Sequence, residues 1–299
     1  MLRKITAPIK AIEIFLLIIG YFLGLAISHY LGFPPDWSGF WNGMMSTLFT
    51  LLGVKLIGNY FRFNSISVLS NRSNPTGERR EVIENRNAGN ISLLAGIAFI
   101  AVSIIPVFPI IKNHSLNIIN LMVFSLGLFL LGLVEVLPDQ VSKWGMLEIF
   151  KAFFYANLIP ALSFTLQTGS LHRMVFLLTF PLFFLFVSFF IASTLPAVQD
   201  ASDVSSQTLI ARFGASTILR FHNASLLMGF LFFLLGTFFD LPWRIIWPGL
   251  LTMPLGLMQI WQVNQILRGT KPNFKALELT AVAISTFTSF SLIVRLWLN

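Results

Sequence analysis

One stretch of the sequence, Lys55 to Ile91, places many charged and polar side chains directly after an apolar segment. At its start, Lys55, Asn59 and Arg62 are spaced i, i+4 and i+7, which puts them on one face of a helix. An ammonium, an amide and a guanidinium on one face repel a divalent cation, whereas they suit an anionic group such as phosphate. The spacing therefore indicates an anion site at the end of a helix.

The composition predicts what kind of helix this is. The chain has 299 residues, of which 56% are hydrophobic and 11% are charged, whereas soluble domains carry about 25% charged residues. Uncharged apolar runs such as residues 174–195 are long enough to cross a bilayer. We therefore expect an all-α integral membrane protein. The net charge of +8 fits basic residues on the cytoplasmic side of a membrane, and we expect no nucleic-acid partner.

The hydropathy pattern predicts nine spans in a single transmembrane domain over residues 1–299. Their approximate ranges are 11–31, 38–61, 91–111, 116–136, 146–168, 173–195, 215–239, 243–263 and 276–297. Most lysines and arginines then fall on the side of the N-terminus, which predicts a cytoplasmic N-terminus and an outside C-terminus. The first span lacks a cleavage site and is expected to be retained. Two long polar loops, 62–90 and 196–214, lie on the cytoplasmic face.

Three short stretches resemble the UbiA superfamily of intramembrane prenyltransferases, most closely the branch that prenylates 1,4-dihydroxy-2-naphthoate in menaquinone synthesis. The first is the Leu-Ile-Gly-Asn-Tyr-Phe segment that ends at Phe61. The second pairs an acidic residue, Glu148, with a Gln-Thr-Gly that begins nineteen positions later at Gln167. The third comprises Asp200, Asp203, Thr208, Leu209, Arg212 and Gly214.

The resemblance implies a UbiA-like helical bundle with a central cavity that opens to the cytoplasmic side. It also implies transfer of an isoprenoid group from a prenyl diphosphate to an aromatic, quinone-precursor-like acceptor, in a bacterial inner membrane. In that family, two Asp-rich motifs hold Mg²⁺ ions that bind the diphosphate, because hard cations take carboxylate and phosphate oxygens as ligands. Membrane lipids are further expected partners.

The first of these motifs departs from the family pattern. Asn59 and Arg62 stand at the two Asp positions, Gly58 replaces an Asn, and Lys55 replaces another. One interpretation is that Lys55, Asn59 and Arg62, with the loop residues Arg79 and Arg80, bind the diphosphate directly. The alternative is that Lys55 and Arg62 extend to the membrane surface and that the loop arginines only follow the positive-inside rule.

The second motif keeps two carboxylates, Asp200 and Asp203, which are expected to hold Mg²⁺ as one ion rather than two. The alternative is that both are solvated acids that cap the next helix. On the acceptor side, Glu148, Lys151 and Gln167 are candidates. Glu148 and Lys151 are one helical turn apart, and a structural ion pair between them is the alternative.

Two hypotheses follow for the function. The first is a UbiA-like membrane prenyltransferase of quinone biosynthesis, with no residue assigned as its catalytic group. The second is a non-catalytic relative that keeps the fold and binds a prenyl lipid or a partner protein. Loss of both carboxylates from the first motif favours the second hypothesis.

Overall fold

The computed structural model describes residues 11–73, 79–112, 117–136, 146–199, 209–270 and 273–298. Within these ranges every regular element is helical, which confirms the predicted all-α class. The α-helices are α1 (Ala11–Tyr30), α2 (Trp37–Ser73), α3 (Arg79–Ile104), α4 (Val107–Lys112), α5 (Ile118–Leu131), α6 (Leu147–Phe153), α7 (Ile159–Thr168), α8 (Arg173–Gln199), α9 (Leu209–Phe213), α10 (Ala215–Leu235), α11 (Trp243–Leu250), α12 (Met253–Leu267) and α13 (Phe274–Trp297). Two π-helical segments, Gly132–Val136 and Phe154–Leu158, and a 3₁₀ segment, Gly236–Phe239, complete the set.

Among the described residues, eight helical segments are long and apolar enough to cross a membrane. They are Ala11–Tyr30, Trp37–Phe61, Asn87–Lys112, Ile118–Val136, Leu147–Thr168, Arg173–Leu195, Ala215–Phe239 and Phe274–Trp297. Their hydrocarbon side chains need an apolar solvent, and their backbone groups are satisfied inside each helix. The prediction of an integral membrane protein is confirmed by these helices.

The predicted eighth span, 243–263, is two helices instead of one. α11 ends at Leu250 and α12 begins at Met253, after a turn. Pro254 lies in the first turn of α12 and offers no N–H to a preceding helix. The predicted apolar segment is therefore helical, but it forms two helices instead of one continuous span.

The polar stretch 62–90, predicted as a loop, is largely helical. α2 continues to Ser73 and α3 begins at Arg79, so that both helices extend past their apolar segments. The predicted loop 196–214 is also partly helical, because α8 continues to Gln199 and α9 occupies Leu209–Phe213. Hydropathy marks where a helix leaves the apolar region, and it does not mark where the helix ends.

Small residues allow the membrane-spanning helices to approach closely. Gly53 of α2 faces Gly96 of α3, and a Cβ added at Gly96 would lie 2.9 Å from the Gly53 carbonyl oxygen and 2.8 Å from Ile57 Cγ1. On α1, a Cβ at Gly24 would overlap the Pro160 carbonyl of α7. Small residues are the usual means of helix association in membranes, where apolar surface alone gives no preference for protein over lipid.

The last span, α13, runs parallel to α1, because His29 at the end of α1 stacks on Trp297 at the end of α13. α1 packs on α7 and α13, while α8 packs on α6, α10 and α13. One end brings together Glu13, Lys55, Glu135 and Lys151, and it is called the charged end below. The opposite end contains the connection between α1 and α2.

The contact between α2 and α3 yields a stability prediction. Gly96→Ala should lower the free energy of unfolding by roughly 1–3 kcal/mol, because the new methyl group must displace helix backbone. Denaturant-dependent unfolding in detergent measures the change. Gly89→Ala in the same helix is the control, since its nearest atom would be Phe63 Cβ at an ordinary 3.4 Å. Equal effects of the two substitutions would contradict close packing at Gly96.

Candidate functional site

Lys55 lies at the centre of a buried group of charges. Its side chain is 2% exposed, and its ammonium pairs with Glu135 Oε1 at 3.0 Å and with the Glu13 carboxylate. Glu13 comes from α1, and Glu135 from the π-helical end of the span Ile118–Val136, which contains α5. The Lys55 side chain therefore faces protein carboxylates rather than the membrane surface.

Lys151 completes the group. Its Nζ lies 3.2 Å from Glu13 Oε1 and 3.5 Å from Glu135 Oε1. Two ammonium groups and two carboxylates from four different spans thus share their charges, and we call Glu13, Lys55, Glu135 and Lys151 the charge cluster. With both lysines protonated and both carboxylates ionised, the cluster is neutral, as expected for charges that must remain buried in a membrane protein.

The approach of Glu135 to Lys55 depends on Gly58 and on local helix geometry. A Cβ at Gly58 would overlap the Glu135 carbonyl, so only a glycine lets this backbone lie against α2. Glu135 belongs to the π-helical segment Gly132–Val136, and such segments inside α-helices redirect side chains at functional sites. The glycine that departs from the family motif thus has a structural reason in this chain.

Of the other residues of the predicted diphosphate site, only Asn59 has a side chain that the structure describes. Asn59 is buried, and its amide donates to Ser92 Oγ at 3.4 Å, while Ser92 donates to the Leu56 carbonyl at 2.9 Å. Asn59 therefore helps to join α2 to α3. Arg62, Arg79 and Arg80 lie on these two helices, but their side chains are outside the described part of the structure.

The two candidate metal ligands, Asp200 and Asp203, lie outside the described residues. Within the described ranges, no group of three or more His, Asp or Glu residues is arranged to hold a metal ion. The Lys55 face of α2 is unsuitable for Mg²⁺, because an ammonium group already occupies the space between the carboxylates there. Any Mg²⁺ site of the predicted kind must therefore draw on other residues.

Glu148 and Lys151 are one helical turn apart, yet the ion pairs of Lys151 are formed with Glu13 and Glu135. The Glu148 side chain is buried, with the residue 1% exposed. Its carboxyl group lies beside the Thr194 hydroxyl and the Leu209 backbone N–H, which can donate to it. The carboxyl group lines a cavity of about 50 Å³ together with Lys151, Ser193, Thr194 and Glu278.

Gln167, the third acceptor candidate, belongs to the opposite end of the bundle. Its Oε1 accepts from the Asp36 backbone N–H at 2.8 Å, and its Nε2 donates to the Asp36 carbonyl at 3.2 Å. Gly169, with a φ of 72°, ends α7 in the left-handed conformation that glycine favours. At about 1.5 Å per residue, Gln167 lies roughly 28 Å along the span from Glu148. The two residues cannot contact the same small ligand.

Two neighbouring apolar cavities lie between α1, α2, α5 and α7. The larger, of about 110 Å³, is lined by residues that include Tyr21, Thr47, Phe124 and Leu162. A smaller one of about 20 Å³ shares Thr47, Phe124 and Leu162 with it. The smaller cavity is also lined by Leu131 and Phe154, which are one helical turn from Glu135 and Lys151. The smaller cavity therefore lies one helical turn from two residues of the charge cluster.

Sequence reasoning missed Glu13 and Glu135, which complete the cluster. Each is a single acid within an apolar run, in Ala-Ile-Glu-Ile-Phe and Gly-Leu-Val-Glu-Val respectively. An ionisable residue inside a span is by itself a sign of a function or of a buried partner. That sign identifies the residues, but it does not identify which residue pairs with which.

No protein-family model matches the chain, and no curated protein matches it either.

The charge cluster yields a test that separates it from surface ion pairs. Lys55→Met should lower the free energy of unfolding by about 3–5 kcal/mol, because it leaves two buried carboxylates with one ammonium. The double substitution Lys55→Met with Glu135→Gln should recover part of this loss. Denaturant-dependent unfolding provides the measurement.

Lys275→Met is the matched control, since Lys275 is exposed near the start of α13. Its effect should stay within about 0.5 kcal/mol, as for most surface substitutions. Equal effects at positions 55 and 275, or a double variant no more stable than Lys55→Met, would show that the cluster contributes no coupled stability.

Proposed function

We propose that the protein is a UbiA-like membrane prenyltransferase that transfers an isoprenoid group from a prenyl diphosphate to an aromatic acceptor of the quinone-precursor type. The observation that carries this proposal is the pair of apolar cavities between the spans, the smaller of which lies one helical turn from the charge cluster. Such an arrangement suits an amphiphile, because its hydrocarbon chain can contact apolar side chains while its charged head group stays near charged ones.

The buried state of Lys55 changes the proposed diphosphate site. Two carboxylates neutralise its ammonium, so a diphosphate has no net positive charge to bind there. Asn59 is occupied in the contact between α2 and α3. The proposal therefore assigns the diphosphate to Arg62, Arg79 and Arg80, on the parts of α2 and α3 that extend past the apolar segments.

The proposed metal site rests on Asp200 and Asp203 alone. Carboxylate oxygens are the ligands that Mg²⁺ prefers, and bound Mg²⁺ neutralises charge on a leaving diphosphate. Both residues follow α8, whose last turns reach the charged end beside Glu148 through Ser193 and Thr194. In the proposed orientation, this end faces the cytoplasm of a bacterial cell and the C-terminus lies outside.

A non-catalytic prenyl-lipid-binding protein is the second candidate, and one observation favours it. Where the resemblance implies a first metal site, the described structure has an internal ion pair of Lys55. Such a protein would keep the apolar cavities and bind the lipid without breaking its carbon–oxygen bond.

The two candidates are distinguished by transfer assays with purified protein. Radiolabelled prenyl diphosphates of several chain lengths, mixed with a panel of aromatic acceptors and Mg²⁺, should give a prenylated product. The combined substitution Asp200→Asn and Asp203→Asn should lower the rate at least about 100-fold, because a bound metal ion contributes several kcal/mol of charge stabilisation.

Asp240→Asn is the control, since Asp240 is exposed at the far end of the Ala215–Phe239 span. It should leave the rate unchanged. Binding of prenyl diphosphate without product for any acceptor would support the second candidate. Absence of both binding and product would overturn both candidates.

A further inference from the structure

A groove of about 430 Å³ opens between α12 and α13. It is lined by residues of both helices and of their connection, namely Trp261, Gln262, Gln265, Ile266, Thr270, Asn273, Ala276 and Leu277. Glu278, in the second turn of α13, lines the cavity that Glu13 and Lys151 also line. The start of α13, and the groove beside it, therefore lie at the charged end of the bundle.

The turn that ends α12 satisfies its own backbone acceptors. Gly269, with a φ of 87°, reverses the chain after the helix. The Gly269 N–H donates to the Ile266 carbonyl at 3.0 Å, and the Thr270 N–H donates to the Gln265 carbonyl at 3.1 Å. Because these last carbonyls of α12 already have donors, the side chains determine which ligand the groove can bind.

The side-chain amides in the groove are left as hydrogen-bond donors. Gln262 Oε1 accepts from the Thr280 hydroxyl at 3.4 Å, and Asn273 Oδ1 accepts from the Ala276 N–H at 3.2 Å. Each of these amides has two N–H donors on its nitrogen, which these contacts do not use. A lining of this kind suits a ligand with several acceptor oxygens.

The charges around the groove favour a negative ligand. Among the described residues that line it, none is acidic. Glu278 lines the cavity beside Glu148 instead. Two exposed cations lie at its helix ends, Arg268 directly after α12 and Lys275 in the first turn of α13. Donors and cations together suit the oxygens of a phosphate group.

The depth of the groove indicates a lipid as the source of that phosphate. Trp261 is 61% exposed and lies six residues before the end of α12, which is about 9 Å along the helix axis. Exposed tryptophans at this depth are typical of the membrane–water interface. The groove therefore covers the region in which lipid head groups join their acyl chains.

We propose that the groove between α12 and α13 binds the phosphodiester of an anionic phospholipid. The phosphate oxygens accept hydrogen bonds from the side chains of Gln262, Gln265, Thr270 and Asn273, and an acyl chain extends past Trp261. Basic sites between membrane helices bind anionic head groups in this way. The inference does not depend on the proposed function, because the prenyl diphosphate is assigned to α2 and α3.

Native mass spectrometry on the full chain measures the binding, with phosphatidylglycerol or phosphatidylcholine of the same acyl chains added to the detergent-solubilised protein. Both lipids contain a phosphodiester, whereas phosphatidylglycerol alone has a net negative charge. It should bind at least about 10-fold more tightly, because charge-assisted hydrogen bonds are the stronger ones. Equal affinities for the two lipids would overturn the inference.

Asn273→Asp tests the donors without removing the cap of α13, since Asp is as good an N-cap as Asn. It should lower the affinity for phosphatidylglycerol about 10-fold and leave the unfolding midpoint unchanged, because a donor becomes an acceptor of like charge. Asn87→Asp is the matched control, since Asn87 is exposed at the start of the Asn87–Lys112 span. The same change of charge there should leave the affinity unchanged.

A second variant removes donors without adding charge. Gln265→Leu combined with Thr270→Val should also weaken phosphatidylglycerol binding, whatever Asn273→Asp does to the fold. Unchanged affinity in this variant, or an equal loss in Asn87→Asp, would contradict binding in the groove.

Two competitors distinguish the lipid from other phosphates. Displacement of phosphatidylglycerol by inorganic phosphate would assign the groove to a free anion and overturn the inference. Displacement by geranylgeranyl diphosphate would overturn it as well, because the groove would then belong to the site of the transferred substrate. Binding of phosphatidylglycerol that withstands both competitors would uphold the inference.

Discussion

The buried contact between Lys55 and its two carboxylates is the interaction on which the rest of the charged end depends. A lone ammonium in this position is costly, so Glu13 and Glu135 must reach it from two other spans. Glu135 reaches it only because Gly58 has no side chain. The buried charge of Lys55 therefore constrains the relative positions of α1, α2 and the span Ile118–Val136.

The cluster also determines what Lys151 and Glu148 can do. On an isolated helix, residues three apart attract each other when their charges are opposite. Here two buried carboxylates from other spans bind Lys151 instead. Glu148 consequently lies beside Thr194 and the backbone of Leu209, at a cavity that Lys151 also lines. The partners of Lys151 are therefore set by contacts between spans and not by spacing along its own helix.

Local patterns in the sequence predicted part of this arrangement. The apolar runs predicted the helical spans, because few structures other than a membrane-spanning helix accommodate an uncharged apolar segment of that length. The break between Leu250 and Met253 was missed, because a turn between two apolar helices does not lower hydropathy. The helical continuation to Ser73 was missed, because polar residues lower hydropathy without ending a helix. Lys55 was identified as a candidate site residue that binds diphosphate, but its carboxylate partners were not identified. They lie 42 and 80 positions away in the sequence, and local spacing contains no information on such contacts.

The two ends of the bundle are held together by different kinds of contact. At the opposite end, Gln167 binds the Asp36 backbone, and Asn117 donates to the Gly169 carbonyl. These are neutral hydrogen bonds between the connections of neighbouring spans. At the charged end, by contrast, the contacts are ion pairs of Lys55 and Lys151 with Glu13 and Glu135. Removal of one partner there leaves a buried charge uncompensated, so the charged end tolerates substitution less well than the opposite end.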